Sequence, residues 1–159
     1  VLEALARHKI PFMIVGLSAA VLQGAPVVTQ DVDLWVRDMS DPQFSVAMQS
    51  IGAAYVPPFG YHGPMLAGEG TELFDLVTHM HGLGKFDDEF PNTLSLRLGR
   101  VTIRVLRLER ILASKEAANR EKDRLTIPVL RNTLRSHQAK ASVRKARRSK
   151  NSPRRPRLK

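Results

Sequence analysis

Two carboxylates in "TQDVDLWV", Asp31 and Asp33, constrain this chain more than any other residues, because the run around them otherwise reads as a buried strand. An ionised carboxylate in an apolar setting is costly unless it is paired or bound to a cation. Side chains at i and i+2 of a strand point to the same face. Asp31 and Asp33 are therefore expected to project together, while Val32 and Leu34 enter the core. Asp75 has a similar setting in "LFDLV", within a strand predicted over Leu73 to Val77. If the two strands are neighbours, three carboxylates meet on one sheet surface. Like charges that close repel unless a cation sits among them. An oxygen-only donor set suits Mg²⁺ or Mn²⁺, and such sites serve in-line phosphoryl chemistry.

The turn before this strand offers a second ingredient. A strand predicted over Ile10 to Val15 breaks at Gly16, and a helix follows from Ser18 to Gln23, closed by Gly24. Free backbone N–H groups at Gly16-Leu17-Ser18 would suit a phosphate, and a small residue there allows close approach.

Lys115 is a third clue. Leu108, Ile111, Leu112 and Lys115 follow helical spacing in a helix predicted over Leu108 to Ala118, which puts the lysine on the core-facing side. A buried lysine needs a partner, here a triphosphate or a site carboxylate. Arg120, Lys122 and Asp123 form either local ion pairs or nucleotide contacts. His79 and His81 are expected to share a strand face, and Asp87-Asp88-Glu89 to be a solvated acidic turn.

The remaining elements are a helix over Val1 to His8, a helix opened by a capping box at Ser40-Asp41-Pro42-Gln43 and running to Ile51, and a loop or irregular hairpin over Ala53 to Gly70. A β-hairpin follows over Leu94 to Leu98 and Val101 to Leu106, then a final helix over Ile127 to Arg135 with Thr126 as its cap. The order is mixed α/β (α+β), with helices gathered late. No Walker loop, nucleophile elbow or dinucleotide fingerprint occurs.

Charge divides the chain of 159 residues in two. Residues 1–137 carry 15 basic and 15 acidic side chains, whereas residues 138–159 hold 10 basic side chains and no acid, the whole net charge of +10. The first part is expected to be the folded domain, helical from about 107 to 137. Residues 138–159 have almost no large apolar side chains and are expected to be a disordered basic tail that contacts nucleic acid. With no cysteine, no signal peptide and no apolar run long enough to span a bilayer, the expectation is a cytoplasmic protein without disulfides or membrane contact.

Taken in order, Gly16, Ala19, Gly24, Thr29, Asp31 and Asp33, the lone acid of "LFDLV" and "LERILASKEAANREKDRLTIPVL" resemble the DNA-polymerase-β-like nucleotidyltransferase superfamily. The likeness is to its small bacterial branch of minimal nucleotidyltransferases and abortive-infection toxins, and it spans most of residues 9–135. The resemblance implies a mixed sheet with flanking helices and transfer of an NMP from an NTP to an acceptor hydroxyl on RNA, a protein or a small molecule. It implies that Asp31 and Asp33 hold Mg²⁺ or Mn²⁺ and that Asp75 completes the site and activates the acceptor. Gly16 and Ser18 would line the triphosphate, with Lys115 and Lys122 as further nucleotide contacts. Leu17 stands where the branch has a second small residue, and Val27 or Val28 where an Arg is common. Those departures support an alternative, a catalytically weakened binding module such as one half of a toxin–antitoxin pair with a partner protein.

Overall fold

The computed structural model describes residues 1–150, with side chains through residue 143. Its centre is strand β1 (Phe12–Ile14), short and wholly buried. β1 pairs antiparallel with β2 (Val32–Val36) and parallel with β7 (Val101–Leu106). Outside these, β5 (Phe74–Val77) runs parallel to β2 and β6 (Thr93–Leu98) antiparallel to β7, giving the order β5-β2-β1-β7-β6. The β6–β7 hairpin turns at Gly99-Arg100, where Gly99 supplies the positive φ (60°) such tight turns require.

Helices α1 (Leu2–Arg7), α2 (Gly16–Leu22), α3 (Pro42–Gln49), α5 (Leu108–Ala118) and α6 (Glu121–Lys150) flank this sheet, with a single turn, α4 (Phe86–Glu89), beside β2. Their apolar stripes bury Leu5, Phe44, Met48, Leu108, Ile111 and Leu130 against Met13, Ile14, Leu34 and Val105 of the strands. A separate two-stranded sheet, β3 (Ala54–Val56) with β4 (Met65–Ala67), fills the stretch expected to be a loop or irregular hairpin.

Several boundaries differ from expectation for identifiable reasons. Asp41, rather than Ser40, caps α3, its carboxylate accepting from the Gln43 N–H at 2.9 Å, while Ser40 turns back onto Asp38. α2 opens at Gly16, two residues early. Thr126 is not a cap, because α6 already begins at Glu121, two residues after Asn119 ends α5 in a left-handed conformation (φ 47°). Pro128 therefore lies inside the helix, and the Thr126 hydroxyl donates to the Asp123 carbonyl at 3.0 Å. α6 also continues through residues 138–150, the first part of the stretch expected to be disordered, while residues 151–159 lie outside the described residues. Among the described residues, no helix is long and apolar enough to cross a membrane.

Candidate active site

The site is assembled where the end of β1 meets the beginnings of β2 and β5. Val15 donates its N–H to the Asp33 carbonyl at 2.9 Å, the last rung between β1 and β2. Beyond it Gly16 turns the chain away at φ 62° and the direct ladder stops. The Ser18 hydroxyl fills the gap, donating to the Val15 carbonyl at 2.9 Å and accepting from the Asp33 N–H at 3.1 Å. Ser18 is thus buried and committed to the backbone, and it is not among the residues lining the cleft above.

The Asp33 carboxylate lies directly against Gly16. A Cβ on residue 16 would come within 1.9 Å of Asp33 Oδ2, closer than any packing permits, so this glycine answers two demands, the positive φ and the carboxylate's approach. The Leu17 N–H also donates to that carboxylate, so Asp33 occupies part of the space over the turn that the sequence reserved for phosphate. On the other side, Asp33 is in direct register with Asp75 of β5. Strands paired in register place such residues on one face, about 4.8 Å apart. Asp31 lies just before β2 rather than in it and is exposed, with its carbonyl accepting from the Thr29 hydroxyl at 3.1 Å. Burial first, then the charges of Asp75 and Asp31, pushes the Asp33 carboxyl above the usual range, against the opposing pull of Lys115 and the Leu17 N–H.

These groups face a cleft of about 500 Å³. Gly16, Asp31, Asp33 and Asp75 form its acidic side, and Lys115, Arg120 and Lys122 bring three cations to the same space. Two of them are organised by Asp123, whose side chain is wholly buried. Lys115 Nζ donates to Asp123 Oδ1 at 2.8 Å and Arg120 Nε to Oδ2 at 2.7 Å. Burial opposes ionisation of Asp123, but the hydrogen bonds and charges of Arg120 and Lys115 prevail and pull its carboxyl down to about 2. Sequence reasoning left Asp123 unplaced. The signal was available, since Asp123, Ile127 and Leu130 lie on one helical stripe, the pattern that singled out Lys115.

The remaining wall comes from Thr78 to His81 and from Gly63-Pro64 of the β3–β4 hairpin. His79 and His81 are beyond β5, not on it, with ring centroids 5.0 Å apart and edge to face. The acidic triplet is no free turn either: Glu89 is buried, accepting from Arg110 Nε at 2.7 Å and from the Gly84 N–H at 3.1 Å, which fastens the loop after the histidines to α5.

Solved structures share this architecture. The crystal structure of ANT(2")-Ia in complex with adenylyl-2"-tobramycin aligns over 95% of this chain and 94% of that one, with a TM-score of 0.55 and 17% identity. The solution structure of the antibiotic-resistance factor ANT(2'')-Ia aligns over 94% and 88%, with a TM-score of 0.54 and 16% identity. The chain has a nucleotidyltransferase fold. Neither a family model nor a curated protein sequence matches it, so the likeness is one of architecture.

Within the nucleotidyltransferase fold, the donor chemistry fits a hard divalent cation. The acids are oxygen donors, and Asp33 sits in a negative field that such a cation would relieve. Among the described residues, however, no three His, Asp or Glu side chains are already arranged to hold a metal ion.

Proposed function

We propose that this protein is a nucleotidyltransferase that moves an NMP from an NTP to an acceptor hydroxyl. The observation that carries the reading is the divided cleft, with Asp31, Asp33 and Asp75 on one side and Lys115, Arg120 and Lys122 on the other. A triphosphate is a polyanion and binds along the cationic side, above the backbone at Gly16. Asp31, Asp33 and Asp75 are the residues that would hold Mg²⁺ or Mn²⁺, which would supply charge neutralisation at the phosphates. Asp75, exposed at the strand edge, accepts the proton of the acceptor hydroxyl as its oxygen attacks the α-phosphorus. The new O–P bond forms as the bond to the bridging oxygen breaks, and the electron pair leaves with pyrophosphate. Lys115 and Arg120, held in place by Asp123, meet the charge that develops on the leaving phosphates. The architectural neighbour bound to adenylyl-2"-tobramycin supports a nucleotide donor and makes a small-molecule acceptor as reasonable as RNA or protein.

A second reading, a binding module that holds NTP without transferring it, is favoured by the absence of a preassembled metal cage among the described residues. It would suit a component of a toxin–antitoxin pair.

Incubating the protein with each of four labelled NTPs, Mg²⁺ and a cell extract separates the two. The transferase reading expects a labelled acceptor, lost in Asp31→Asn. Mg²⁺-dependent binding without labelled product from any NTP leaves the binding module, and no binding at all removes both.

A further inference from the structure

The run that follows β5 lines the cleft with groups that neither the phosphates nor a cation requires. Thr78, His79, Met80 and His81 form this part of the wall. Its two imidazole rings have centroids 5.0 Å apart and planes at 74° to each other. The Thr78 hydroxyl and His79 Nδ1 share a hydrogen bond of 3.2 Å, which orients the first ring. Both histidines are exposed, yet the backbone that carries them is fixed. Met80, between them, packs against the core, and its carbonyl accepts from the Leu83 N–H at 3.2 Å. Gly82 lies at φ 66° against α5, so close that a Cβ there would come within 2.4 Å of the Ala117 Cβ. Two residues on, the Gly84 N–H and Arg110 of α5 both donate to the buried Glu89 carboxylate. The histidine run is thus pinned to the same helix that carries Lys115.

Lys115, Arg120, Lys122 and the carboxylates account for the phosphates and leave the other end of a nucleotide to this wall. We infer that His79 and His81 hold the nucleobase of the bound NTP, an inference that rests on the nucleotidyltransferase reading above. A base has a flat π face and an edge of donors and acceptors. Two rings set near a right angle offer both matching surfaces at once, a face to stack on and an edge with a ring nitrogen. A ring nitrogen donates or accepts according to its tautomer, and every base has a π face. The pair therefore grips a nucleotide without selecting strongly among bases. Its attachment to α5 means that little freedom is lost when the base docks. The same attachment keeps the base contacts in step with the phosphate contact at Lys115. The histidines are then what distinguishes a nucleotide from a bare polyphosphate.

The test compares each of the four NTPs with inorganic tripolyphosphate by calorimetry in Mg²⁺, using the whole protein and the double variant His79→Ala/His81→Ala. Both side chains are exposed, so the variant is expected to melt as the wild type does. Loss of the rings should weaken NTP binding about tenfold and leave tripolyphosphate binding unchanged. The variant His79→Phe/His81→Phe, which keeps the π faces, should recover part of the NTP affinity. Equal NTP affinity in wild type and alanine variant overturns the inference while sparing the nucleotide reading, since the histidines would then serve the acceptor or nothing. An equal loss for NTP and tripolyphosphate also overturns it, because the histidines would then act on the phosphates. Wild-type protein that binds tripolyphosphate as tightly as every NTP overturns it as well. If the wild type binds neither ligand, the nucleotidyltransferase reading fails and takes the base contact with it.

Discussion

At the scale of single residues, Asp33 is held where its charge works against the fold. Its carboxyl is desolvated, faces Asp75 in register and lies against Gly16, and its proton affinity is raised accordingly. A group whose folded pKa exceeds its unfolded value binds its proton more tightly when folded. Its contribution therefore favours the fold below the unfolded pKa and is lost as pH rises through the folded value. At neutral pH the ionised Asp33 is a net cost. Asp33→Asn keeps an acceptor for the Leu17 N–H and removes the charge, so it should raise thermal stability at pH 7. A gain of about 0.5–2 kcal/mol is typical of such relief, and Mg²⁺-dependent NTP binding should disappear. Melting curves at pH 7 and below pH 4 check the sign: the gain should shrink in acid, where the wild-type carboxyl is already protonated. A variant less stable than wild type at pH 7 would contradict this account of the site.

At the scale of elements, the junction of α5 and α6 does comparable work through Asp123. Its carboxyl is depressed to about 2 from 3.8, so the sign reverses: stability is present above the unfolded value and is lost as pH falls toward the folded one. A shift of that size corresponds to roughly 2 kcal/mol. Urea unfolding of wild type minus Asp123→Asn should show a difference of this order at pH 6 that fades toward pH 2. Because Asp123 acts through Lys115 and Arg120, the variant should also lower kcat more than it raises KM for NTP, with Asp123→Glu restoring part of the rate. A wholly structural Asp123 would lower stability and leave that ratio alone. The same junction shows what the sequence could disclose. The strand carrying Asp33 and helix α5 were legible, and the β6–β7 hairpin to within one residue, because each carries a clean period of apolar side chains and a defined stop. The acidic side of the cleft was legible too, since a charge inside an apolar strand is conspicuous. The start of α6 was not, because "NREKDR" is polar throughout and Pro128 suits a first turn. The two strands of the separate sheet were hidden among prolines and glycines, and the engagement of the Ser18 hydroxyl with the frayed ladder has no sequence signature.

At the scale of the whole molecule, α6 outruns the body that stabilises it. Leu134 is the last residue packed against the core, and every described residue from Arg135 to Val143 is exposed. The helix nevertheless continues to Lys150, so residues 138–150 extend about 20 Å past the last charge-balanced segment. An isolated helix of this length is marginal in water, and residues 138–159 carry only positive charge, which destabilises it further. A polyanion such as nucleic acid would relieve that repulsion, and binding of one by the arm is testable. Deleting residues 138–159 should then leave the melting temperature within about 1 °C, since surface changes seldom exceed ~0.5 kcal/mol. Retention on an immobilised RNA should fall sharply, and the dependence of log affinity on log salt should flatten by several units as the released counterions are lost. The outcome that removes the arm from the account is undiminished RNA retention in the deleted protein. A fall in melting temperature of several degrees would instead mean that the deleted segment contributes to the stability of the body. NTP binding measured on the same deletion resolves whether cleft and arm act independently: unchanged affinity is expected, because Lys115, Arg120 and Lys122 all lie before the cut, as does Asp123, which holds the first two.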